Sequence, residues 1–155
     1  MRKTILFLLC APLLGACRSF SERSADSPSG TYSYVAHDAD GVKIVEGVLN
    51  IDALRGEQNR SYLLEGTWDM NIVGESNAQI GPQAGKGRLI GSVDSDGTFW
   101  IDLNPDFRDN NVMLHGEISG RVYDEIEGGW QHVTFIGPTS AGTFDAERQS
   151  PETAE

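Results

Sequence analysis

The chain has 155 residues, 39% of them hydrophobic, and a formal charge of −11. That length supports one hydrophobic core and one domain. The acidic balance, with no basic stripe, argues against nucleic acid as a partner, because acidic surfaces repel a phosphate backbone.

The first residues are MRKTILFLLCAPLLGAC. Arg2 and Lys3 form a positive n-region ahead of an apolar run that ends at Leu14. That run is about half the ~20 residues a helix needs to cross a bilayer. Two cations, a short apolar run and small residues at its exit predict a secretory signal peptide over residues 1–16, removed on maturation. Leu14-Gly15-Ala16-Cys17 resembles the lipobox of bacterial lipoproteins. Gly15 and Ala16 suit an extended backbone in a narrow peptidase site, and Cys17 supplies the nucleophilic thiol. The resemblance implies lipidation at Cys17, by a diacylglyceryl thioether and then an acyl chain on the new amino terminus. Two or more chains anchor stably. The expected partner is therefore a membrane, held through acyl chains on Cys17 without a spanning segment. Arg18 follows, not the Asp associated with inner-membrane retention. By the same resemblance the protein goes to the outer membrane, on its periplasmic or surface face, in a cell that has one.

Maturation removes Arg2 and Lys3 and no acid, so −11 becomes −13 over the 139 residues left when 16 leave the 155. Anionic headgroups would repel such a chain, which leaves the anchoring to the acyl chains. It also removes Cys10, so no internal disulfide can form. The domain must hold itself by its core. Residues 17–30, "CRSFSERSADSPSG", are small, polar and Ser-rich, and read as a lipidated Cys on a flexible tether. A tether of that length spans on the order of 20 Å root-mean-square.

From Thr31 the hydrophobic period becomes two. Tyr62, Leu64, Gly66, Trp68, Met70 and Ile72 share one face, with Glu65 and Asp69 on the other. The same alternation marks Tyr32–Ala36, Val45–Ile51, Gly87–Val93, Phe99–Leu103, Val112–Ile118, Ile126–Phe135 and Gly142–Ala146. Asp38–Gly41 and Asp94–Gly97 end in Asp-Gly, a strong hairpin signal. Longer loops are expected at Asp52–Ser61, Gly74–Gly85 and Pro105–Asn111. No segment shows a helical period. These elements predict an all-β domain over residues 31–148, with a disordered tail at 149–155. About eight antiparallel strands form an up-and-down β-barrel, because glycines recur on the inward face where a small barrel must coil sharply. A β-sandwich is the alternative.

The strings "GRLIGSVDSDGTFWIDL", "VMLHGEISG" and "FIGPTSAGTFDAER" resemble the C-terminal barrel of transferrin-binding-protein-B-like surface lipoproteins. Those barrels end in Phe-x-Gly-Pro and, further on, Gly-Gly-x-Phe. Here Phe135-Ile136-Gly137-Pro138 is followed by Ala141-Gly142-Thr143-Phe144, with a shorter gap and Ala for the first Gly. The resemblance implies a small lipoprotein barrel. It does not carry over transferrin binding, since the family's separate N-terminal handle domain is missing.

Motifs for chemistry are weak. "GPQAGKG" (Gly81–Gly87) lacks the spacing and the Ser or Thr of a phosphate loop. The two Asp-x-Asp-Gly turns lack the remaining ligands of a Ca²⁺ loop. His37, His115 and His132 do not converge: His115 has outward parity, His132 inward, and His37 adjoins a turn. No catalytic residue, metal or cofactor is expected. Trp68 and Trp130 have inward parity, as core or as the walls of a ligand pocket. Trp100 has outward parity, as a contact surface. The expectation is a filled barrel serving as a binding or interaction module for an envelope protein partner. The alternative is a lipocalin- or avidin-like carrier of a small apolar ligand.

Overall fold

The period-two segments become strands, and the strands close on themselves. The structure, a computed structural model, describes residues 27–56, 61–74, 79–118 and 123–150. The signal peptide, Cys17 and the last five residues lie outside these. The strands are β1 (Gly30–Asp38), β2 (Lys43–Arg55), β3 (Tyr62–Ile72), β4 (Gly85–Val93), β5 (Thr98–Asp102), β6 (Asn110–Glu117), β7 (Glu125–Thr134) and β8 (Gly137–Arg148). Each pairs antiparallel with the next, and β8 returns to β1 from Tyr32↔Arg148 to Asp38↔Gly142. The result is a closed up-and-down barrel and not a sandwich. No helix occurs among the described residues.

Several boundaries differ from the sequence reading, among them Asn110 and Asn111, which open β6 instead of ending a loop. Asp52–Arg55 belongs to β2 and not to a loop, because it finds partners on β3 as far as Arg55↔Tyr62. β8 begins at Gly137, since the β7–β8 hairpin turns on only Phe135 and Ile136. Both Asp-Gly hairpins form, with Gly41 and Gly97 at positive φ. Their aspartates serve the turns themselves. Asp38 Oδ1 accepts from the Asp40 and Val42 amides at 3.0 and 2.9 Å, and Asp96 Oδ1 accepts from Thr98 N at 2.9 Å.

The interior is built from a repeated pairing. Five inward aromatics each face a glycine directly across a strand boundary: Tyr34↔Gly47, Trp68↔Gly87, Phe99↔Gly116, Trp130↔Gly142 and Phe144↔Gly128. At three of these pairs the ring itself lies against the missing side chain, Trp68 at Gly87, Phe99 at Gly116 and Trp130 at Gly142, a device that fills a narrow barrel and permits strong coiling. At Gly47 and Gly128 the nearest atoms belong instead to Asp69 and Met70 and to His115 and Gly116. At Gly87 the fit leaves no choice of residue, because a Cβ there would sit 2.5 Å from the Trp68 indole. Tyr34 stacks on Phe144 at 5.6 Å, and Phe99 meets Phe144 edge-on at 6.1 Å. Leu49, Met70, Leu89, Ile101, Val112 and Leu114 fill the spaces between.

The outward residues are mostly polar or charged, among them Thr67, Asp69, Lys86, Arg88, Glu125, Glu127, Asp145 and Glu147. A transmembrane barrel carries the reverse pattern, with an apolar outer band ~25 Å tall. This barrel is built to stand in water.

Candidate functional site

The two barrel ends are closed by different chemistry. At the end where the chain enters, Arg148 at the close of β8 reaches back under β1. Its guanidinium donates to the carbonyls of Ser27 (2.8 Å), Ser29 and Tyr123 (3.1 Å), pairs with Asp124 at 3.2 Å, and lies 5.1 Å from the Tyr32 ring centre. Tyr32 Oη sits 2.9 Å from both the Pro28 and Tyr123 carbonyls. Burial pushes the Tyr32 phenol up to about 12, with the Arg148 charge opposing. This clasp fixes the point at which the upstream chain leaves the barrel. Gln149 N donates to Thr31 O at 2.8 Å, continuing the β1–β8 closure one residue past β8.

The opposite mouth is closed by the β3–β4 connection. Gln83 is completely buried there. Its Oε1 accepts from Tyr34 Oη at 3.1 Å and its Nε2 donates to Ile80 O at 2.8 Å. Burial raises the Tyr34 phenol, which stays a neutral donor. Ile80 packs against the core, Asn104 Nδ2 donates to Pro82 O at 3.0 Å, and Ser140 Oγ donates to Gln79 O. Residues 79–83 are thus a plug, tied to β1, β8 and the β5–β6 connection. Sequence reasoning gave this stretch only as a loop. Its one sequence signal was Ile80, an aliphatic residue in a Gly-rich stretch.

His132 supports the plug. Its Nε2 lies 2.7 Å from Asn110 Oδ1 and its Nδ1 lies 2.8 Å from Thr139 Oγ1. Gly81 lies against the ring, where a Cβ would come within 2.5 Å of Cδ2. Burial lowers the pKa of this histidine, so the neutral ring is favoured. Asp102 is held the same way, accepting from Asn104 N at 2.8 Å and Asn111 Nδ2 at 2.7 Å. These polar groups are spent on one another.

The predicted site residues divide by face. Trp68 and Trp130 point inward, with 3% and 0% of their surface left to water. Each indole donates to a backbone carbonyl: Trp68 to Leu103 and Trp130 to His37 (2.8 Å). Trp100 is outside and 41% exposed. Cys17 lies outside the described residues. The three histidines stay apart. His115 is on the outer wall against Gly129 O (2.9 Å), and His37 is 3.6 Å from Asp145. Among the described residues no three His, Cys, Asp or Glu side chains gather in a form that holds a metal ion.

Two of the grooves on the outside are lined by described residues. One, of about 210 Å³, crosses β1, β8 and β7 and carries Glu125, Glu127, Asp145 and Glu147. The other, of about 420 Å³, runs between the start of β4 and the β5–β6 connection, with Arg88, Asn104 and Phe107 among its walls. Neither reaches Trp68 or Trp130. Large apolar side chains also stand clear of the plugged end: Phe107, and Phe135 and Ile136 on the β7–β8 tip, 83% and 75% exposed.

Fold and surface together define an eight-stranded up-and-down barrel with an aromatic–glycine interior, plugged at one end and clasped at the other. Comparison with protein-family models, characterised proteins and solved structures finds no match.

Proposed function

We propose that this chain is a lipid-anchored lipoprotein of the cell envelope, most simply of the outer membrane, whose barrel is an interaction module and not an enzyme. The anchor is Cys17, on the strength of the lipobox-like Leu14–Cys17 string behind a signal peptide. The observation that carries the module reading is the contrast between interior and rim. Trp68 and Trp130, the walls a carried ligand would need, are closed to water, whereas the plugged end presents Phe107, Phe135 and Ile136. Hairpin tips favour Gly, Asn and Asp. Two large apolar residues forming a whole tip are the composition of a contact surface. The first described residues, Ser27–Ser29, are held at the opposite end, which supports an anchor on that side and a plugged rim turned away from the membrane toward a partner.

The test replaces Phe135 with a photo-crosslinking phenylalanine analogue in cells, with Glu65 substituted likewise as a control on the outer wall. A discrete protein adduct at position 135, absent at 65, is the expected result. No adduct at 135, together with a small molecule retained by the purified barrel, would replace this reading by the carrier. Separately, Cys17→Ala should abolish fatty-acid labelling and release the protein from membranes; unchanged labelling would end the anchor assignment.

A further inference from the structure

One row on the outer wall does not follow the polar rule. Leu54 on β2 pairs with Leu63 on β3, Leu63 with Ser92 on β4, and Ser92 with Trp100 on β5. All four have outward parity, so they stand side by side across the wall. Leu54, Leu63 and Trp100 are 61%, 60% and 41% exposed, and Ser92 between them is too short to screen the indole from the leucines. At about 4.8 Å per strand the row is roughly 15 Å across. The next row toward the plugged end holds Asp52, Glu65, Ile90 and Asp102, so the apolar character is confined to the last pleat of that wall.

The place of this row is not neutral with respect to the anchor. Gly30 pairs with Ile51, and Ser29 Oγ accepts from Ala53 N at 2.9 Å, so the chain coming from Cys17 runs alongside the end of β2 that carries Leu54. The Arg148 clasp holds it there through the Ser27 and Ser29 carbonyls. Ser27 lies ten residues after Cys17, a reach of at most ~35 Å when fully extended. Whatever surface holds Cys17 is therefore within reach of Leu54, Leu63 and Trp100.

We propose that the Leu54–Leu63–Trp100 row seats the barrel on the lipid–water interface of the membrane that holds Cys17. The chemistry fits that occupant. Ser92 and His115 are the direct neighbours of Trp100 in the row, and an exposed tryptophan in one row with two exposed leucines is the composition of a membrane-interface contact, with an apolar body and an indole N–H left for the headgroups. Asp52 and Glu65 of the next row are exposed and stay in water, while Asp102 is buried on Asn104 and Asn111. The formal charge of −11, or −13 without Arg2 and Lys3, selects a zwitterionic surface over an anionic one. Seated so, the barrel turns its plugged rim outward. The inference rests on the lipid anchor at Cys17.

The test uses the mature, lipidated full chain in phosphatidylcholine vesicles, with and without brominated acyl chains that quench nearby tryptophan. Trp68 and Trp130 are shut inside, so Trp100 is the reporter. The expected result is a partial loss of emission on brominated lipid, abolished by Trp100→Phe and reduced at least twofold by Leu54→Ser with Leu63→Ser. Both variants should still float with the vesicles and melt as the parent does, because the substituted side chains are exposed. Quenching should weaken when phosphatidylglycerol replaces half the lipid. Flotation with no quenching would overturn the proposal while leaving the anchor intact. Trp100 shielded from brominated lipid in a particle of two chains would overturn it in favour of a second copy. A mature chain without acyl groups that stays off the vesicles would remove the anchor reading and the seat with it.

Discussion

The two faces of the barrel wall are made by alternate residues of the same strands, yet they obey different rules. Inside, Trp68 and Trp130 cover glycines, donate to backbone carbonyls and lose nearly all their surface. Outside, Trp100 lies among residues that leave much of it bare. One residue type is a buried filler on one face and a partly exposed group on the other, and the difference follows strand parity. The interior, where a barrel of this size sometimes holds a ligand, is occupied by the side chains that hold the wall together, and this supports the proposal that recognition belongs to the outside.

The comparison is broken most sharply by removing one tryptophan from each face. Trp68→Ala should cost about 3–5 kcal/mol in urea unfolding, through lost burial and the cavity left behind, whereas Trp100→Ala should stay within about 0.5 kcal/mol. Equal losses would mean that the parity assignment carries no energetic weight. Gly87→Val comes next, at roughly 1–3 kcal/mol, because its side chain competes with the Trp68 indole for one space. Double substitution with Trp68→Ala should recover part of that cost, and strict additivity would show that the two positions do not share space. On the outer face the sign reverses. Glu125 lies opposite Glu147, and Glu127 opposite Asp145, two successive like-charged pairs. Glu127→Lys should stabilise by about 0.2–1 kcal/mol, less at high salt, and a loss of stability would show that this acidic wall already has a counter-charge. The smallest effect expected is in pH. Burial holds the folded His132 pKa below 6.5, so the unfolded chain binds the extra proton more readily. The stability contributed by neutral His132 is present above about 6.5 and is lost as pH falls through that value toward the folded one. Melting temperatures at pH 7.5 and 5.0 should differ more for the parent than for His132→Gln.

The alternation over Tyr62–Ile72 and the two Asp-Gly turns were enough to read the strands, because parity and turn chemistry are local. Even so, Ile72 shares the inward parity and is 62% exposed, since β3 there runs out to the mouth. The aromatic–glycine pairing was legible only in part. The alternation puts Gly47, Gly87 and Gly116 on the inward face but does not single out Gly128, and which residue lies across from each depends on the register between strands, as in Trp130↔Gly142. The plug was not legible. Gln83 is polar and sits in a Gly-rich stretch, and it is buried only because Tyr34, 49 residues earlier, offers a hydroxyl at the mouth. Arg148 likewise gave no local sign of its task, which is to hold carbonyls at Ser27 and Ser29. The outer row Leu54–Leu63–Trp100 needed the closed sheet before its members became neighbours.

The central claim is that the barrel interior is filled by its own side chains and carries no ligand. Native mass spectrometry of the full mature protein, released gently from envelope membranes, tests it most directly. The expected spectrum holds the lipidated chain alone, with no small molecule bound. A one-to-one adduct that survives desolvation, disappears on unfolding and is weakened by Tyr34→Phe or Gln83→Ala at the plug would contradict it.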